Sequence, residues 1–373
     1  MDKTKKCGIV TFHSAHNYGS VLQAYALAKT LKTMGLYVEI IDYRHPHTTD
    51  KYIWKPWSPY KTNKENIKEF ILRGFLKFGR KREIVFSAFI EEFLPTSKRL
   101  YDKKEVAKDY DILVCGSDQI WNPLATGENA PFYYLDFAKA KIKFSYAASS
   151  GSQRFAEKNR ETIKRLLSEM KAISVREEFM KEYIEKELHL SATVTPDPTF
   201  LLSSEEWTEI ESPYSRVPSK YLLVYAIQKS SDTVRLAKNI AKQLNLPVVQ
   251  ICNERGVKAI FHNNVDYCLM DVSPNQFLWL FHNASFVVTN TFHGNMFSII
   301  FRKNFIHYNT NQLDTRIQSL HSIIGLGTTR ILNDINDFNI NNMVIDYHYY
   351  EDKIKQHAEF GRNFIRNTIE ITK

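Results

Sequence analysis

Along the chain, short continuous apolar runs alternate with stretches whose apolar residues recur three and four positions apart. The first kind reads as buried strand and the second as amphipathic helix. Cys7 to Phe12 (CGIVTF) is such a run, and Val21, Leu22, Tyr25, Leu27, Ala28 and Leu31 keep helical spacing up to Gly35. Val38 to Tyr43 is again strand-like, so the first 45 residues predict a β-α-β unit with a parallel strand pair. Asp111 to Cys115, Lys143 to Ala148 and Ala172 to Val175 predict further strands, with a helix over about 155–170. A second alternating series follows a proline-marked polar segment at Glu211 to Lys220. It predicts strands at Tyr221–Ile227, Val248–Cys252 and Phe286–Thr289, and helices at Asp232–Leu244, Pro274–Asn283 and Gly294–Phe301. The expected architecture is α/β, with one Rossmann-like domain over 1–212 and a second over 213–345. A final helix within 346–373 is expected to pack back on the first domain. Ligands in such a pair are expected at the carboxyl ends of the strands, facing an interdomain cleft.

Composition narrows this without redirecting it. In 373 residues, 43% are apolar and 24% charged, which excludes disorder and coiled coil. No apolar run approaches the ~18 residues of a membrane span. Met1 to Lys6 is polar and lysine-rich with no signal-like apolar stretch, so a cytoplasmic location is expected. The four cysteines, Cys7, Cys115, Cys252 and Cys268, are far apart and show no metal-ligand spacing. They are expected to be reduced, and neither a metal nor a cofactor is expected.

The net charge of +9 is concentrated. Residues 51–108 hold 15 Lys and Arg against 7 Asp and Glu, and helices are expected near Lys64–Phe78 and Arg82–Phe93. This basic insertion reads either as a solvated helical face or as a docking surface for an anionic membrane or a phosphate-bearing acceptor. No nucleic-acid motif accompanies it, so nucleic acid is not an expected partner.

Three junctions carry clustered polar residues. His13-Ser14-Ala15-His16-Asn17-Tyr18-Gly19-Ser20 leads into the first helix, where free N–H groups suit an anion; the same residues also suit a capped turn. It lacks the Lys of a Walker loop and the spaced glycines of a dinucleotide site. Cys115-Gly116-Ser117-Asp118-Gln119-Ile120-Trp121-Asn122 offers planar hydrogen-bonding groups beside an aromatic face, as sugar recognition requires. Asp118 is a candidate base there, or a self-bonding turn residue. Thr289-Asn290-Thr291-Phe292-His293-Gly294-Asn295 places His293 at a strand end over a helix N-terminus, a position for acid–base work beside a phosphate. Arg176, Arg316 and Arg330 are candidates to hold phosphate and carboxylate groups.

The order of these segments resembles the polysaccharide pyruvyl transferase family. The resemblance rests on Gly8–Leu27, Asp111–Pro123, Tyr146–Gly151, Ile173–Glu178, Thr195–Leu202 and Val287–Ile306, with Leu313–Leu326 similar to an Arg-containing segment. It implies two Rossmann-like domains similar to the glycosyltransferase B fold. It also implies transfer of the enolpyruvyl carbons of phosphoenolpyruvate to two sugar hydroxyls, forming a pyruvate ketal on a cell-surface polysaccharide or its lipid-linked precursor. His293 is then the acid–base residue, with Asp118 as a second catalytic group. Arg176, Arg316, Arg330, Thr291, Gly294 and Asn295 hold the donor. His13, Asn17, Tyr18, Gly19, Ser20, Gln23, Ser117, Trp121 and Asn122 face the saccharide acceptor. The basic insertion implies peripheral contact with the anionic inner membrane face. One position departs from the pattern: several members carry Arg two residues before this His, where this chain has Thr291. A nucleotide-sugar glycosyltransferase and a non-catalytic carbohydrate- or phosphate-binding protein are the alternative readings.

Overall fold

The computed structural model describes residues 4–44, 62–64, 67, 78–107, 109–137, 140–151, 159–227, 231–252, 265–309, 315–339 and 343–370. The chain divides into two compact units. Unit 1 comprises Met1–Ile53, Ser87–Leu202 and Lys355–Lys373, and unit 2 comprises Trp54–Phe86 and Ser203–Ile354.

Unit 1 is built on a parallel sheet of strands β1 (Lys6–Val10), β2 (Tyr37–Ile40), β3 (Ile112–Cys115) and β4 (Ile142–Ser145), ordered β2-β1-β3-β4. β1 is central, with Cys7 opposite both Val38 and Ile112. All four residues of β3 are buried, as expected of a parallel strand covered on both faces. Backbone bridges from Phe144 to Ala172 and from Ala148 to Val175 carry the edge of β4 onto a second parallel pair, β5 (Ser174–Val175) and β6 (Thr193–Val194). Helix α1 (Tyr18–Thr33) follows β1 and ends before Gly35, whose φ of +83° an L side chain would resist. Helix α2 (Phe78–Phe93) covers the helix expected near Arg82–Phe93, and α3 (Arg160–Ser168) follows β4 within the helix expected over about 155–170. Helix α4 (Glu178–Leu188) was not among the expectations, although its buried Met180, Ile184 and Leu188 keep helical spacing.

Unit 2 holds a six-stranded, wholly parallel sheet. Its strands are β7 (Leu222–Tyr225), β8 (Val248–Ile251), β9 (Tyr267–Leu269), β10 (Phe286–Thr289), β11 (Phe305–Tyr308) and β12 (Ile331–Leu332), ordered β12-β11-β10-β7-β8-β9. Helix α5 (Ser231–Leu244) buries Leu236, Ala237 and Ile240 in a core with Leu222, Val224 and Val288. Helix α6 (Pro274–Asn283) starts at a capping box in which Ser273 and Gln276 satisfy each other's backbone N–H, with Pro274 at the first turn. Its Phe277 and Phe281 rings, with Tyr225 and Phe297, form an aromatic cluster with centroids 4.6–6.2 Å apart. Helices α7 (Phe292–Ile300), α8 (Thr315–Ile324) and α9 (Glu351–Ile369) follow.

Two sequence expectations change, and one cannot be placed. The basic stretch 51–108 is not one body, because it is divided at Ile53/Trp54 and again within α2 at Phe86/Ser87. The helix expected near Lys64–Phe78 lies almost wholly outside the described residues. The cysteines are not all reduced: Cys252, following β8, and Cys268, in β9, form a disulfide, while Cys7 and Cys115 are free and buried. Sequence spacing could not pair them, since it is the adjacency of β8 and β9 that brings them together. No helix among the described residues is long and apolar enough to cross a membrane.

Candidate active site

In an open parallel sheet, ligands bind beyond the carboxyl ends of the strands where the chain reverses its direction of growth across the sheet. In unit 1 that reversal lies between β1 and β3, and in unit 2 between β7 and β10. The first two polar junctions stand at the former and the third at the latter.

At the β1/β3 junction the two loops are tied together. Thr11 Oγ1 donates to Ser117 O at 2.8 Å, and Gln23 Nε2 donates to Thr11 Oγ1 at 2.9 Å. The Ser20 hydroxyl donates to Asp118 Oδ2 in a short hydrogen bond. Asp118 has φ 74°, in the left-handed region that Asp tolerates better than most residues, and its Oδ1 accepts the Gln119 N–H at 2.8 Å. Asn17 caps α1 by accepting from Gly19 N–H at 2.9 Å, and Asn122 caps the next turn through Leu124 N–H at 2.9 Å. Asn17, Asp118 and Asn122 are half-buried, so they keep a face toward solvent.

The remaining acceptor-side expectations meet a physical obstacle. His13 is buried, with Nε2 2.9 Å from Asp42 Oδ1 and Nδ1 3.1 Å from Thr11 O. Burial disfavours the Asp42 carboxylate, yet the hydrogen bonds from His13 and Arg44 outweigh it and hold its pKa well below the usual range. Trp121 presents no ring to a sugar: it is 1% exposed, stacks on Tyr134 at 5.1 Å and donates to Tyr133 O at 3.0 Å. Tyr18, Gly19, Ser20, Gln23 and Ser117 are buried too, and they shape the loops from within. Burial also pushes the Cys115 thiol up, which excludes a thiolate nucleophile there.

Arg176 likewise departs from expectation. It lies in unit 1 at the end of β5, and its side chain is buried. Nη1 donates to Asp197 Oδ2 at 3.0 Å, Nε to Glu177 Oε1 at 3.2 Å and Nη2 to Ser149 Oγ at 3.1 Å. Ser149 in turn donates to Glu177 Oε1 at 2.5 Å, and Ser117 to Asp197 Oδ2 at 3.2 Å. A charge this buried must be paired, and the two carboxylates pair it. Arg176 therefore holds four loops of unit 1 together. Glu177, Asp197 and Ser149 lie inside segments noted in the sequence, but only the β4–β5–β6 pairing brings them to one point.

At the β7/β10 junction Asn290 spans the two strand ends. Its Oδ1 accepts Ile227 N–H at 2.8 Å and its Nδ2 donates to Ile227 O at 2.9 Å. Thr291 is the N-cap of α7, accepting Gly294 N–H at 2.9 Å, and is 8% exposed. A Cβ on Gly294 would collide with Thr289 Oγ1 and stand 2.7 Å from Thr291 Oγ1. Thr291 and Gly294 are thus committed to building the helix start. His293, in the first turn, is half-buried, and its ring stands edge-on to Phe292 at 5.5 Å. The Arg316 guanidinium of α8 lies over the same Phe292 ring at 5.7 Å. Arg330, by contrast, is buried, donating to Met343 O at 3.2 Å and Val344 O at 3.1 Å. Of the donor-side expectations, His293 and Arg316 both pack on the Phe292 ring and are half-buried, with the Nε2 atom of His293 itself buried. Among the described residues there is no group of three or more His, Cys, Asp or Glu able to hold a metal.

The polysaccharide pyruvyl transferase family model matches residues 17–312, which include the β7/β10 junction and, at the β1/β3 junction, the chain from Asn17 onward. No curated protein sequence shows significant similarity. Among solved structures, a putative UDP-N-acetylglucosamine 2-epimerase from Listeria monocytogenes is 11% identical, with TM-score 0.52 over 100% of this chain and 98% of that one. The UDP co-structure of MnaA from S. aureus is 10% identical, with TM-score 0.50 over 99% and 98%. These likenesses concern the fold alone, two Rossmann-like domains of the glycosyltransferase B kind. With the family match spanning most of its length, the chain belongs to the polysaccharide pyruvyl transferase family.

Proposed function

We propose that the protein transfers the pyruvyl carbons of phosphoenolpyruvate to two hydroxyls of a saccharide acceptor, forming a cyclic ketal and releasing phosphate. The observation that carries this reading is the first turn of α7, where half-buried His293 stands beside the Phe292 ring that Arg316 overlies. The positive end of α7 and the Arg316 guanidinium attract the donor's phosphate and carboxylate. His293 as imidazolium protonates C3 of the donor while one sugar hydroxyl adds to C2, and the hydroxyl proton passes to the imidazole so formed, restoring it. Phosphate then leaves C2, the second hydroxyl adds there, and its proton departs with the phosphate. Fixed positive charge near the donor stabilises the negative charge gathering on the leaving phosphate. Thr291 donates no charge, so Arg316 carries that role in this chain. Asn17, Asp118 and Asn122 supply the partly exposed hydrogen-bonding groups for the acceptor. An acceptor joined to a lipid, met through the basic stretch 51–108 at an anionic membrane face, fits the charge distribution.

The test is phosphate release from phosphoenolpyruvate across a panel of galactose- and mannosamine-containing acceptors, with product mass. Acceptor-dependent release with a pyruvylated product supports the reading. Turnover of a nucleotide sugar with phosphoenolpyruvate untouched overturns it in favour of a glycosyltransferase. Binding of a saccharide without turnover of either donor, unchanged in His293→Ala, marks a non-catalytic protein.

A further inference from the structure

Behind the first turn of α7 lies a buried polar cluster that touches no expected ligand. Asn295 is 0% exposed, His321 0% and His307 2%, and they come from α7, α8 and β11. Asn295 Nδ2 donates to Thr291 O at 2.8 Å and to His307 Nδ1 at 2.8 Å. Its Oδ1 lies 3.0 Å from His321 Nε2. His307 Nε2 in turn lies 3.1 Å from Asn309 Oδ1.

These contacts determine where the protons are. Thr291 O only accepts, so the edge of Asn295 facing it must be the amide nitrogen. That leaves Oδ1 facing His321, which must therefore carry its proton on Nε2. It also leaves His307 Nδ1 as an acceptor, with the His307 proton on Nε2 toward Asn309. His307, accepting at Nδ1, is thus neutral, and burial disfavours the charged form of His321. Because Asn295 is enclosed, it cannot bind the donor, contrary to the sequence expectation.

The cluster's importance lies in what it connects. α7 carries His293 two residues before Asn295, and α8 carries Arg316 five residues before His321. The Asn295–His321 hydrogen bond ties the two helices from within, behind the contact of Arg316 with the Phe292 ring. We infer that Asn295 and His321 are positioning residues, a buried clasp that sets Arg316 of α8 against the His293 turn of α7. His307 braces the clasp from β11. The inference rests on the proposed pyruvyl-transfer reading for its effect on turnover, although the clasp itself can be read without turnover.

The test compares His321→Leu, which removes the donated hydrogen, with His321→Gln, whose Nε2 can supply it again. In the full chain, His321→Leu is expected to raise KM for phosphoenolpyruvate about tenfold with kcat changed less, and His321→Gln to recover most of that loss. A bare packing role would instead lower Tm in both variants without a KM-specific effect. A second arm needs no activity. In protein labelled with 15N at histidine, His321 and His307 are expected as neutral Nε2–H tautomers, and the His293 ring resonances are expected to shift in His321→Leu and return in His321→Gln. If the wild type does not turn over phosphoenolpyruvate but the His293 resonances respond in this way, the pyruvyl-transfer reading falls and the clasp stands. If His293 is unmoved by His321→Leu, or His321 carries its proton on Nδ1, the clasp falls whatever the turnover. If His321→Leu does not fold, the tautomers in the wild type and the KM of His321→Gln, expected within about threefold of wild type, decide the matter.

Discussion

Arg176 and Asp197 meet at 3.0 Å with both side chains almost wholly removed from solvent. Removing one member of such a pair leaves an uncompensated buried charge, at a cost of about 3–5 kcal/mol. Arg176→Ala should therefore lose about that much stability in urea unfolding, and Asp197→Asn should be destabilised in the same direction. Donor affinity in the fraction that remains folded should change little. A full loss of donor binding with unchanged unfolding would return Arg176 to the role its charge alone suggests.

Thr291 caps α7, its hydroxyl receiving the Gly294 N–H at 2.9 Å. Thr291→Ala should cost about 1 kcal/mol through loss of the cap. Thr291→Arg cannot cap, so it should unfold at lower urea than wild type without tightening donor binding. Calorimetric titration with phosphoenolpyruvate beside urea unfolding checks both statements.

The buried His321 and the half-buried His357 make the fold sensitive to acid. Burial, with smaller contributions from His307 and Arg330 and against a backbone group of Gly327, lowers the His321 pKa to about 3. Burial lowers that of His357, in α9, to about 4. In the unfolded chain both titrate near 6.5, as ordinary histidines do. Between those values the unfolded state binds more protons, so this contribution is complete above about pH 6.5 and declines as pH falls toward 4 and then 3. Urea midpoints measured from pH 7.5 to 4.5 should fall with acid, and His357→Phe should flatten that decline.

The Cys252–Cys268 bridge spans 16 residues of sequence. Closing a loop of that size stabilises by about 3 kcal/mol through the unfolded chain. The double variant Cys252→Ser/Cys268→Ser should unfold at correspondingly lower urea. Thiol titration of the unfolded, unreduced chain should find two reactive groups, Cys7 and Cys115; four would show that the bridge does not form.

The basic stretch supplies a salt-dependent prediction. Full-length protein should sediment with phosphatidylserine vesicles at low salt and release as the Debye length shrinks below about 10 Å near 0.1 M. Neutral vesicles should not retain it. Indifference to anionic vesicles at every salt concentration would make the stretch a solvated face.

The strands around β1, β3, β7 and β10 were legible because buried parallel strands are continuous apolar runs, and the polar loops at their ends announced both junctions. What those loops do was less legible. Arg176 looked available because the carboxylates that neutralise it come from a neighbouring residue and from Asp197, brought close by non-local pairing. Trp121 beside Asp and Asn resembles a sugar platform until the Tyr134 ring covers it. His321 gave no signal at all, being one polar residue on a short helix, and its significance depends on Asn295 facing it from another. His293 and Arg316 each lie in the first turn of their helix and are half-buried.

Unit 1 is completed by residues that follow all of unit 2 in the chain. Gly361 in α9 lies so close to the first unit's core that an added Cβ would stand 2.6 Å from Pro196 and 2.9 Å from Leu201, and Arg362 donates to Leu201 O at 2.8 Å. During synthesis, therefore, the ribosome delivers the sheet of unit 1 long before the helix that packs on Pro196 and Leu201. The surface around those two residues stays uncovered while unit 2 is still emerging, and exposed apolar surface at that stage favours aggregation.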